Sequence, residues 1–125
     1  MDLPAFDRRF LTGTHRYARI GTGAIGGKAA GLIEAAARLD ERFSSGPLPA
    51  AVPRFAVIAT DSFDRFVSSG ELAEAIDGDL PDDRIAHYFR RAELPPRLVG
   101  DLRSIAETVH VPLAVRSSSV LEDAE

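Results

Sequence analysis

The chain has 125 residues, 45% of them hydrophobic and 27% charged, with a formal net charge of −4. These are ordinary globular values, which exclude a disordered or collagen-like chain and set the expectation of a single domain. Cysteine is absent, which excludes disulfides, thiolate zinc sites, iron–sulfur clusters and cysteine nucleophiles, and the acidic balance speaks against a nucleic-acid footprint.

The three histidines are far apart in sequence, which disfavours a histidine-rich metal site. No stretch approaches the ~20 apolar residues of a membrane span, and the mixed charges of residues 1–9 leave no apolar core for a signal peptide. The expectation is a soluble cytoplasmic protein with neither membrane nor nucleic acid as partner. Of the 15 basic residues 14 are arginine, and the single lysine, Lys28, stands directly behind Gly26 and Gly27.

Residues 1–19 carry little periodicity, although Tyr17 to Ile20 reads as a short strand. The glycine-dense turn Gly21-Thr22-Gly23-Ala24-Ile25-Gly26-Gly27-Lys28 follows. From Ala29, apolar residues at Leu32, Ile33, Ala36, Leu39 and Phe43 recur at helical spacing, predicting a helix of about four turns that ends at Ser44-Ser45-Gly46-Pro47. Ala51 to Thr60 has the β-branched and aromatic mass of a strand. Asp61 is placed to cap a short helix through Phe63, Phe66 and Val67 that Gly70 closes. Glu71–Ile76 and Asp82–Arg91 read as short helices on either side of an Asp77-Gly78-Asp79 turn. Pro95-Pro96 opens another, with Leu98, Leu102, Ile105, Ala106 and Val109 on its apolar face. Leu113 to Arg116 reads as a strand that delivers Ser117, Ser118 and Ser119. A buried strand so near the last residue would need further chain to pack on it, so the expectation is the N-terminal piece of a longer protein.

Two constellations carry chemistry. A glycine turn before a helix lets backbone approach a ligand closely, and the N–H groups of a helix start favour an anion. Lys28 adds a mobile cation there, so Gly26-Gly27-Lys28 suits a phosphate, although a turn with a solvated lysine explains the same residues. The P-loop pattern fails: Thr22 stands where its first glycine belongs, and Ala29 follows the lysine where a magnesium-binding Ser or Thr is required. Gly21-x-Gly23-x-x-Gly26 matches the dinucleotide fingerprint literally. Its context is poor, because the preceding strand is not strongly apolar and Asp40 and Glu41, about 20 positions on, end a helix rather than a strand. The second constellation is Leu113-Ala114-Val115-Arg116-Ser117-Ser118-Ser119, where a guanidinium and hydroxyls suit an oxyanion. Pairing of Arg116 with Glu122 or Asp123 in a surface turn is the alternative.

Taken together, Gly26-Gly27-Lys28-Ala29-Ala30-Gly31-Leu32, Val52-Pro53-x-Phe55-x-Val57-Ile58-x-Thr60 and Val115-Arg116-Ser117-Ser118-Ser119-x-x-Glu122-Asp123 resemble the N-terminal nucleotide-binding domain of phosphoenolpyruvate synthase and pyruvate phosphate dikinase. The resemblance covers about residues 20–60 and 111–124. It implies an α+β fold, a partial ATP-grasp-like lobe with a small mixed sheet and several helices, and ATP as ligand. By the resemblance Lys28 and Arg116 contact the ATP phosphates, Gly26 and Gly27 form the glycine turn of that site, and Ser117 and Ser118 shape the serine turn. The strand from Val52 to Thr60 is a core element without a ligand role. The family's covering glycine-rich loop, adenine pocket, Mg2+-binding acids, phosphohistidine domain and pyruvate-binding barrel have no counterpart in residues 1–125. The implied reading is therefore the ATP-binding part of a dikinase-type phosphotransferase, with no catalytic or metal-ligating residue of its own. Such a piece would be inactive alone and would meet pyruvate or another acceptor only through other domains. A non-catalytic binding or interaction module, or a dinucleotide-binding domain, are the alternatives.

Overall fold

The computed structural model describes residues 3–9, 13–43 and 50–120. Strand β1 (Tyr17–Ile20) leads through the glycine turn into helix α1 (Gly27–Phe43), and the chain returns as β2 (Phe55–Ile58). The two strands pair in parallel, Tyr17 opposite Phe55 and Ile20 opposite Ile58. A helical crossover brings a chain back in the same direction, so the small sheet is parallel rather than mixed. The α+β arrangement expected from the sequence is present.

Helix α1 covers one face of this pair. Ile33 and Ala36, at i and i+3, are buried with Leu3, Tyr17, Val52 and Val57, and Ile25, Ala29, Leu39 and Phe55 close the edge of that cluster. Tyr17 and Phe55, cross-strand neighbours, bring their rings to 4.6 Å between centroids, a contact that adds to their area burial. Leu32 and Phe43 of the expected apolar stripe are exposed. Arg16 ties the far end of α1 to the sheet: it pairs with Asp40 at 3.1 Å and donates to the Val52 carbonyl at 2.8 Å.

Strand β2 is shorter than the expected Ala51–Thr60, because it can pair only where β1 lies beside it. Residues 4–6, which carry no strand signature, take the other edge of β1: Arg19 N–H donates to the Pro4 carbonyl at 2.9 Å and Phe6 N–H to the Arg19 carbonyl at 2.8 Å. β1 is thereby the central strand of the assembly.

Helices α2 (Thr60–Val67), α3 (Gly70–Asp77), α4 (Asp82–Arg91) and α5 (Pro96–Thr108) follow. Phe66 of α2 meets Phe89 of α4 edge-on at 5.8 Å, and Leu72 and Ala75 of α3 are buried. Gly70 opens α3 instead of closing α2; its φ of +52° turns the chain between the two helices, a conformation glycine tolerates. On α5 only Leu98 is buried. That helix is held to the N-terminal segment by Arg8, which pairs with Asp101 at 3.6 Å and accepts a hydrogen bond on its carbonyl from Ser104 at 3.4 Å. His15, His87 and His110 are all exposed, and no helix among the described residues is long and apolar enough to cross a membrane.

The expected strand at Leu113–Arg116 is not formed; the segment is irregular. Val111, Leu113 and Val115 alternate as a strand would, yet they are 67%, 53% and 94% exposed. β-propensity reflects packing on a neighbouring strand more than a backbone preference, and none of the described strands lies beside this segment. The expected helix end at Ser44–Pro47, like Glu122 and Asp123, lies outside the described residues.

Ile33 is 5% exposed and its neighbour Leu32 42%. Ile33→Ala is therefore expected to lower unfolding stability by about 2–4 kcal/mol and Leu32→Ala by less than about 1 kcal/mol, as urea denaturation would measure.

Candidate functional site

The glycine turn and the serine run, separated by most of the chain, meet in the structure. Helix α1 begins at Gly27, so the capping position falls on Gly26, which has no side chain to cap with. The first four N–H groups of a helix have no partner within it. Two of them are met from the serine run: Gly27 N–H donates to the Ser119 carbonyl at 3.1 Å, and Ala29 N–H donates to Ser118 Oγ at 3.2 Å. Ser118, 89 positions from Ala29, thus does what an N-cap serine normally does for its own helix.

Gly26 is what permits this approach. A Cβ at that position would lie 2.3 Å from Ser118 Oγ and 2.5 Å from its carbonyl carbon. Gly26 is buried, while Lys28, Arg116, Ser117 and Ser118 are exposed. Of the six residues singled out in the sequence, Gly26, Gly27 and Ser118 are in or beside direct contact, Lys28 lies between the two amides so engaged, and Ser117 and Arg116 immediately precede the contact. The N–H groups of Gly27 and Ala29 are occupied by protein oxygens, so what this helix start presents to an anion is chiefly charge.

The front of the glycine turn has a different partner, which sequence reading assigned elsewhere. Asp61 was expected to cap the helix that follows β2. The N-cap of α2 is instead Ala59, without a side-chain cap, and Asp61 lies in the first turn of the helix. Its carboxylate reaches back across the sheet end. Oδ1 accepts from Thr22 N–H at 3.0 Å and Gly23 N–H at 2.9 Å, and Oδ2 accepts from Thr22 Oγ1 at 3.3 Å. Arg65, one turn further along α2, approaches to 3.9 Å. The Gly23 amide, then the Thr22 amide and hydroxyl and the Arg65 guanidinium, hold the Asp61 carboxyl below its ordinary value of 3.8, against the opposing effect of partial burial. An acidic residue just past a strand and a glycine turn was visible in the sequence; that they would meet followed only from the parallel pairing of β1 and β2, which sets the two strand ends side by side.

Among the described residues, no group of three or more His, Cys, Asp or Glu could hold a metal ion.

Two outcomes follow from this geometry. Gly26→Ala is expected to destabilise the fold by about 1–3 kcal/mol by driving the serine run off α1, whereas Gly31→Ala, with open space around it, is expected to stabilise by about 0.5–1 kcal/mol; thermal unfolding of both variants checks the pair. Because Asp61 ionises more readily folded than unfolded, its stabilisation is present above about pH 4 and is lost as pH falls through the depressed folded value. The melting-temperature gap between wild type and Asp61→Asn should be widest near neutrality and close at the acid end. Asp7, held at about 2 by its hydrogen bonds from Arg9, loses its own contribution in the same direction in both proteins.

Residues 22–125 match the sequence family described as pyruvate phosphate dikinase, AMP/ATP-binding domain. The match enters within the glycine turn and runs through the serine run, so it includes both sides of the contact built above. No curated protein and no solved structure matches the chain. A family match over this much of the sequence places the chain in the AMP/ATP-binding domain family of pyruvate phosphate dikinase.

Proposed function

We propose that this ATP-binding domain holds the polyphosphate between Lys28 and Arg116, in an ATP-grasp-like arrangement. The observation that carries the reading is the pair of hydrogen bonds joining Gly27 and Ala29 to Ser119 and Ser118. They fasten the segment that follows Arg116 to the helix turn that bears Lys28. Two cations in one region, on a chain of net charge −4, would suit a polyanion: a guanidinium grips phosphate oxygens in a fork, and an ammonium acts as a mobile point charge. Gly26 and Gly27 let the serine run approach α1 closely at the edge of the phosphate site, and Ser117 and Ser118 shape the wall opposite.

In a complete phosphotransferase of this family, ATP so held would phosphorylate an enzyme histidine, which would pass the group to pyruvate or another acceptor. Glucans and an antibiotic serve as acceptors in related enzymes, and the residues here do not select among them. Lys28 and Arg116 would offset charge on the transferring phosphoryl group, an electrostatic rather than covalent role. Mg2+ would join ATP through groups outside residues 1–125, and a cytoplasmic location fits an ATP-dependent enzyme. The reading includes no turnover by this chain alone.

The dinucleotide reading is disfavoured by a specific contact. The amides of Thr22 and Gly23, which a pyrophosphate would need, face the Asp61 carboxylate, and a second anion there would be repelled. A non-catalytic module is the remaining alternative, and it places no demand on Lys28 or Arg116.

Titration of the 125-residue chain with ATP separates these readings. Lys28→Ala and Arg116→Ala are each expected to weaken ATP binding by about 1.5–3 kcal/mol, roughly 10- to 150-fold. Unchanged affinity in both variants would reject the clamp, and NAD binding that depends on Gly23 would support the dinucleotide reading instead.

A further inference from the structure

We propose that Asp61 is a positioning residue of the nucleotide site: by holding the amides of Thr22 and Gly23 it fixes the glycine turn in the conformation from which α1 presents Lys28. The inference rests on the reading that Lys28 meets the ATP phosphates.

The turn between β1 and α1 is glycine-rich, and glycine loses more freedom on ordering than any other residue. A turn of this composition needs external fastening to hold one conformation. For the front of the turn, Ile20 to Ala24, the structure supplies it from the start of α2. Ala59 N–H donates to the Ile20 carbonyl at 2.9 Å, and Thr60 N–H donates to the Ala24 carbonyl at 2.9 Å. Between those two points the Asp61 carboxylate takes the Thr22 and Gly23 amides.

The glycines are shaped for that carboxylate. Gly21 has φ +94°, and a Cβ on it would lie 2.4 Å from Asp61 Oδ1. On Gly23 a Cβ would lie 2.6 Å from both Asp61 N and Thr60 Oγ1. Adjacent backbone amides in a turn make a concavity that accepts an anion, and here an internal carboxylate fills it. The first two glycines of the literal fingerprint therefore admit a side chain of the protein itself, and only the last part of the turn, at Gly26-Gly27-Lys28, faces the serine run. Asn at position 61 would set an uncharged amide against the two N–H groups and lose the charge-assisted bonds. Among the described residues, the charged group seen to face Asp61 is Arg65 of α2.

The test measures the turn and the ligand separately. In the full chain, Asp61→Asn is expected to speed hydrogen exchange at the Thr22 and Gly23 amides about tenfold or more, while amides of β1 and α5 keep their protection, and to weaken ATP binding about tenfold. Gly23→Ala approaches the same contact from the loop side with the carboxylate intact, and is expected to weaken ATP binding to a similar degree. A purely structural Asp61 would lower stability and leave the ATP affinity of the folded protein unchanged; affinity within twofold of wild type in either folded variant overturns the proposal. So does unchanged exchange at Thr22 and Gly23 in Asp61→Asn. If Lys28→Ala weakens ATP binding and Asp61→Asn does not, positioning by Asp61 fails while the nucleotide reading stands. If wild type shows no ATP binding, the nucleotide reading fails and takes this inference with it.

Discussion

A helix that starts on two glycines has no side chain of its own to cap its first turn, and α1 takes the missing oxygens from the serine run. The rest of the site depends on that exchange. Uncapped N–H groups at a helix start are costly if kept from both water and partners, and Ser118 and Ser119 answer two of them at once. The same contact fixes where the Arg116 segment lies relative to Lys28. A need of the secondary structure and a need of the site are met by one pair of hydrogen bonds, and Gly26 is the residue whose missing Cβ lets both occur.

The glycine turn is divided between two electrostatic tasks. Its front half holds a negative group belonging to the protein, the Asp61 carboxylate on Thr22 and Gly23. Its rear half leads into the one lysine of the chain. The turn thus carries an internal anion at one end and a cation at the other. The division explains why a literal match to the dinucleotide pattern coexists with a different family membership: the glycines are required for packing against α2, and the spacing alone does not reveal which anion they serve.

Much of the architecture was legible because local signals and tertiary packing agree. The β1 span, the α1 face around Ile33 and Ala36, α4 from Asp82 to Arg91, and α5 opened by its proline all agree with the sequence reading. Readings went astray where partners decide. Leu113–Arg116 has strand composition and no strand beside it, residues 4–6 pair with β1 although Pro4 and Ala5 advertise nothing, and Leu32 and Phe43 keep helical register while facing outward. At the site, the glycine turn, Lys28 and the serine run stood out by residue type. Asp61 carries a cap's residue type near a helix start, and its longer-range task emerges only when the parallel sheet sets the glycine turn beside it. The α+β class needed only element order, whereas the Asp61 contact needed the strand register.

The bond between Ala29 and Ser118 closes a span of 89 residues, and that span sets an order on biosynthesis. Chains emerge from the ribosome N-terminus first, so β1, α1 and β2 can associate while the serine run is still unmade. Until residue 119 has left the exit tunnel, the start of α1 can find its outside oxygens only in water. The sheet can therefore form before the serine run that supplies the start of α1 has been made.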